Sequence, residues 1–210
     1  MMSTTSLETV GPRRLEPEQR RTQLLKTAKG IIEREGIGAC TIDLVSTEAG
    51  VTAQLVHKYF GTRSSLLQTL YAREEAEYEK EIERRLSASR NFEDIVRVFV
   101  TANLDLLSPT TAIGQLRSMP EIIPTRTFRD DASRASARRA LVRGFRTHYE
   151  TDDETMAFAL RLGSAASIEA ATIAAQHDDM DRAAHVERTV RFILAGIRSV
   201  LADAKPGSRD

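Results

Sequence analysis

Residues 41–67 read TIDLVSTEAGVTAQLVHKYFGTRSSLL, and two glycines divide them into two short helical segments and the start of a longer one. Thr41 is a good N-cap for a helix carrying Ile42, Leu44, Val45 and Ala49. Gly50, inside Ala49-Gly50-Val51, supplies a tight turn because glycine tolerates positive φ. Thr52 caps a second helix running to Tyr59, which offers Leu55, Val56 and Phe60 to a core before Gly61 stops it. The longer helix begins near Thr62 and reaches Leu86, with Leu66, Leu67, Leu70, Tyr71, Tyr78 and Ile82 along one side.

Working outward, Leu24, Leu25, Ala28, Ile31 and Ile32 fall on one face of a helix over residues 17–35, closed by Gly36 and Gly38. Downstream, Asn91 caps a helix that carries Phe92, Ile95, Val96, Phe99 and Leu106. Pro109, Pro120 and Pro124 break residues 108–127 into turns and short helices. A basic helix over about 128–149 follows. Then Thr151-Asp152-Asp153-Glu154 has the form of a capping box and opens a long helix rich in small residues from Gly163 to Ala175. A last helix, about 182–202, repeats Val186, Val190, Ile193, Leu194, Ile197, Val200 and Leu201. Strand-type alternation is absent, so the expected class is all-α. The expected division is a tail over 1–15, a three-helix unit over 16–63, a larger helical domain over 64–204 joined to it by the long helix, and a second tail over 205–210.

The chain has 210 residues, 41% of them apolar and 29% charged, which is ordinary for a soluble globular protein and argues against disorder. No run approaches the roughly 18 apolar residues of a membrane span. Residues 1–15 lack the continuous apolar stretch of a secretory signal, and the lone Cys40 fits a reducing compartment, so a cytoplasmic protein is expected. Thirty basic and thirty acidic residues cancel, but residues 13–34 hold seven basic against three acidic ones. That local surplus suits a segment near phosphates, and a solvated helix face accounts for it equally.

Short helices around a glycine turn are how a helix-turn-helix presents one helix to the major groove of DNA. The run from Thr41 through Gly50-Val51-Thr52 and Tyr59-Phe60-Gly61-Thr62-Arg63 to Leu67 also resembles the DNA-binding signature of the TetR family of bacterial regulators. The resemblance spans roughly residues 17–70 and implies roles position by position. Thr41, Tyr59 and Arg63 match phosphate-contacting positions. Thr52, Ala53 and Gln54 open the recognition helix, where Gln54 is suited to pair with adenine, and Lys58 is in reach of a guanine or a phosphate. His57 stands where the family usually has a tyrosine that contacts the backbone, which leaves that contact to an imidazole or removes it. Several of these side chains have a plainer role: Thr41 and Thr52 serve as caps, Gln54 and Lys58 as solvated residues, Tyr59 and Phe60 as core.

For the rest of the chain the resemblance implies an effector pocket and a dimer interface. Phe99, Asn103, Leu116, Met119, Phe145, Met156 and Phe158 are pocket candidates, with an ordinary core as the alternative for each. Ser167, Ala170, Ala174, Val190, Ile193, Leu194, Ile197 and Leu201 are the interface candidates, because small residues opposite an apolar stripe suit a four-helix dimer bundle. Packing within one subunit is the alternative. The expected partners are double-stranded operator DNA, a second copy of the chain and a small-molecule effector, with no membrane.

The four histidines, His57, His148, His177 and His185, have no nucleophile or ligand partner at motif spacing, and no phosphate loop or nucleophile elbow appears. No catalytic residue, cofactor or metal is therefore expected; His177, Asp178, Asp179, Asp181 and His185 read as a solvated turn. The remaining alternative is a helical adaptor that keeps the fold without binding DNA.

Overall fold

The computed structural model describes residues 15–119, 121–122, 128–177 and 179–203, and no strand occurs among them. The two expected tails, apart from residue 15, lie outside the described residues, as do Arg13, Arg14, Pro120, Pro124 and Asp178.

Proline at the first turn starts α1 (Pro17–Glu35), and Gly36 at φ 87° ends it. A 3-10 turn, Ile37–Ala39, leads into α2 (Ile42–Ala49), α3 (Ala53–Phe60) and α4 (Arg63–Ala88). Three threonines start these helices in the same way. The hydroxyls of Thr41, Thr52 and Thr62 accept the backbone N–H of Leu44, Leu55 and Ser65 at 3.2, 3.3 and 3.1 Å. Gly50 lies in the left-handed region at φ 64°, ψ 39°, and a Cβ there would meet nothing within 4 Å. Conformation, not space, therefore requires glycine at this turn.

The first core is built from α1–α4: Leu24, Ile31, Val45, Val56, Leu66 and Leu70 are all buried. It extends past residue 63, because Ala112 and Leu116 of α6 (Ala112–Arg117), with Ile122, pack into it. Lys29 and Glu74 brace α1 against α4 with a 2.5 Å ion pair whose carboxylate is nearly buried.

The second core lies among α5 (Phe92–Leu107), α7 (Phe128–His148), α8 (Asp153–Ala175) and α9 (Arg182–Asp203). Phe92 makes edge-on contacts with Phe145 and Tyr149, with ring centroids 5.5 and 5.7 Å apart. Asn91 caps α5 as its sequence predicts. At α8 the cap falls one residue later than the Thr151 box: Asp152 accepts from both the backbone N–H and the hydroxyl of Thr155 at 2.8 Å. A carboxylate is the stronger acceptor at a helix N-terminus, and Asp152 takes the position. Hydrogen bonds from Thr155 hold that carboxyl below its ordinary range. α8 and α9 lie close together, and a Cβ on Gly163 would come within 3.0 Å of Ile193.

Candidate nucleic-acid interface and effector cavity

α3 has two distinct faces. Val56 and Phe60 are buried in the first core, whereas Gln54, His57 and Lys58 are exposed together on the opposite side. At 100° per residue, these three fall within one third of the helix circumference, so they form a single outward surface. Thr52 is exposed at the start of the helix and Ala53 is half-buried beside it. Thr41, at the start of α2, is exposed as well.

The flanking residues are more committed to the fold. Tyr59 is half-buried and packed against the first core. Arg63 donates from Nε to the Cys40 carbonyl at 2.7 Å and from Nη2 to the Ile37 carbonyl at 2.6 Å. It therefore fastens the start of α4 to the loop before α2, a role that spacing alone does not reveal. His57 holds its Nδ1 2.6 Å from the carbonyl of Gly61. A carbonyl accepts only, so Nδ1 carries the proton and Nε2 is left to solvent or a ligand. Arg21 lies 5.7 Å from the Phe60 ring centroid, with its guanidinium over the base of this platform.

The glycine in the left-handed turn and the outward polar face of α3 make a helix-turn-helix, and similarity to known proteins agrees with it. The model of the bacterial regulatory proteins of the tetR family matches residues 24–70. Residues 24–70 are thus similar to the DNA-binding region of TetR-family regulators. The HTH-type transcriptional regulator BetI of Vibrio campbellii is 40% identical over 73 residues, covering 35% of this chain and 33% of that protein. BetI of Vibrio parahaemolyticus is 38% identical over a stretch of the same length and coverage. The chain thus matches about a third of the length of these curated relatives. Among solved structures, a TetR-family transcriptional regulator from Pectobacterium atrosepticum superposes with a TM-score of 0.61 at 18% identity, covering 90% of this chain and 97% of that one. The fatty acid degradation regulator FadR from Bacillus halodurans gives 0.58 at 15% identity, covering 89% and 99%. At such identities these two structures speak for the fold alone.

In the C-terminal part of the chain, a cavity of about 540 Å³ lies between α5, α7, α8 and α9. That volume is in the range of small-molecule sites. Of the pocket candidates, Phe99, Asn103 and Met156 line it. The other four pocket candidates lie elsewhere. Leu116 and Met119 pack with the first core, Phe145 is fully buried in the second, and Phe158 is exposed. A neighbouring cavity of about 400 Å³ shares Phe99 and Asn103 with the first and is bordered by Ile113 and Arg117 of α6.

The interface candidates fold the protomer. Ser167, Ala170, Val190, Ile193, Leu194 and Ile197 are buried within it, and Ala174 and Leu201 are half-buried against the second core. The α8–α9 hairpin closes on itself with these residues. A different stripe faces out: Phe158, Leu162, Ala165 and Ile173 on α8, and Phe192, Ala195, Gly196 and Ser199 on α9. Phe192 is 70% exposed and Phe158 54%. The signal for this stripe is the repeat at i, i+4 and i+7 on each helix, opposite the more conspicuous aliphatic one.

Proposed function

We propose that this chain is a transcriptional regulator that binds double-stranded operator DNA as a homodimer and releases it when a small molecule enters the C-terminal cavity. The observation that carries this reading is the outward face of α3, where Gln54, His57 and Lys58 stand clear of a helix held by Val56 and Phe60. Gln54 reads a base edge, Lys58 pairs with a guanine or a phosphate, and the Thr41 and Thr52 hydroxyls with Tyr59 and Arg63 flank them at the sugar-phosphate backbone. The outward stripes of α8 and α9 pair across a twofold axis with those of a second copy. Large apolar side chains beside small residues allow such a four-helix contact. The two recognition helices then meet one duplex about one helical turn apart, roughly 34–36 Å. Repression relieved by an effector follows from this arrangement.

A binding role also fits the histidines. His57, His148 and His185 each hold a ring nitrogen against a backbone carbonyl, of Gly61, Gly144 and Ala170 at 2.6, 2.9 and 2.8 Å, and the first two lie at helix ends. Among the described residues no helix is long and apolar enough to cross a membrane.

Selection of bound duplexes from a randomised pool with the full chain tests the reading. The expected product is an inverted repeat, with affinity lost in Gln54→Ala and Lys58→Ala. Absence of any enriched duplex, or unchanged affinity in both variants, overturns DNA recognition by α3 and leaves the helical adaptor.

A further inference from the structure

We propose that the cavity between α5, α7, α8 and α9 takes an amphipathic organic anion, with a carboxylate or phosphate head held by Arg138 and Arg161 and an extended apolar body lying inside. The inference rests on the effector reading above and adds the chemistry of the ligand. The cavity floor is apolar: Val96, Val100, Met156, Ile193 and Ile197 are buried side chains that border it. One polar pair lies in the same wall. Asn103 Nδ2 donates to the nearly buried Ser167 Oγ at 2.8 Å. This bond meets part of the hydrogen-bonding capacity of the pair within the wall, and the floor around it is apolar.

The charge is at the rim. Arg138 of α7 and Arg161 of α8 border the cavity and are both exposed. Among the described residues neither has an ion-pair or hydrogen-bond partner. Arg97, Arg146 and Arg182, by contrast, are paired with Glu187, Asp153 and Asp105. Among the described residues, no aspartate or glutamate lines this cavity. Two cations and no anion beside low-dielectric walls make the entrance attractive to one sign of charge. A guanidinium presents a planar fork of N–H donors that matches the oxygens of carboxylate and phosphate. A cationic ligand meets two like charges here, and a neutral one leaves both guanidiniums unused.

Isothermal titration of the full chain with four probes of equal chain length, each below its micelle concentration, tests this. The probes are dodecanoate, dodecyl phosphate, dodecan-1-ol and dodecyltrimethylammonium. The expected order places at least one anion about tenfold tighter than the alcohol, with the ammonium weakest; the better of the two anions names the head group. In the double variant Arg138→Gln/Arg161→Gln the anion falls to the affinity of the alcohol. Ser164→Trp, at an exposed position on the cavity border, abolishes binding of all four. Equal affinity for all probes, a preference for the ammonium, or no change in the arginine variant overturns the anion assignment while leaving the cavity an effector site. Failure of every probe to bind the parent chain overturns both.

Discussion

Gln115 of α6 holds the end of α1: its Oε1 accepts the Ile37 backbone N–H at 2.8 Å, and its Nε2 donates to the Ile32 carbonyl at 3.0 Å. The two partners lie about eighty residues away in sequence, on either side of Gly36. α6 also borders the smaller cavity through Ile113 and Arg117. One short helix therefore touches both the C-terminal interior and the backbone that leads into the helix-turn-helix.

Replacing Gln115 with Leu removes the acceptor for the Ile37 N–H, whereas the Ile32 carbonyl retains the Gly36 N–H at 2.9 Å. The expected cost is about 1 kcal/mol. In hydrogen exchange, the Ile37 amide should become several-fold faster, while amides of α8 and α9 stay unchanged. Equal protection of Ile37 in both proteins would show that the clamp is not maintained in solution.

Arg63 and Lys58 differ in what they do for the free protein. Arg63→Ala leaves the Cys40 carbonyl without its donor and should destabilise the free protein by about 2 kcal/mol, a fall in Tm of several degrees. Lys58→Ala should leave Tm within a degree or so and reduce the salt dependence of DNA binding by about one ion. Thermal melts and a salt titration check both, and a melt unchanged by Arg63→Ala would contradict its structural role.

The outward stripe predicts opposite consequences for adjacent residues of α9. Phe192→Asp adds charge to an exposed face and should give a folded monomer by light scattering after size exclusion. Ile193→Asp puts a charge into the second core and should prevent folding. A Phe192→Asp protein that remains a dimer would place the interface elsewhere.

Cys40 is fully buried, and burial pushes its thiol up to about 11 against the opposing effect of Arg63. Below that value the group is almost entirely the unreactive thiol. At pH 8 a disulfide reagent should label the native chain only as fast as it unfolds, and in guanidinium one thiol per chain should react at once. Rapid native labelling would mean that the loop before α2 opens on its own.

Much of the fold was legible because its signals are local. The hydroxyls of Thr41, Thr52 and Thr62 cap helices through atoms three residues away, and Gly36, Gly50 and Gly61 adopt the positive φ that other residues avoid. The periodicity of α1 named its buried residues without reference to any partner. Where two signals competed, at Thr151 and Asp152, the charged acceptor won by a single residue.

By itself, then, the sequence determined the helices, their ends and the polar face of α3, since each follows from contacts within one or two turns. Only the tertiary structure decided which of two apolar stripes on α8 and α9 is internal. Val190 and Ile193 are buried because α5 and α8 cover them, and Phe192 is left outside. It also decided that Arg63 and Gln115 satisfy distant carbonyls and amides, and that Arg138 and Arg161 share one cavity rim. Such partners are set by the packing of whole helices, which no local spacing encodes.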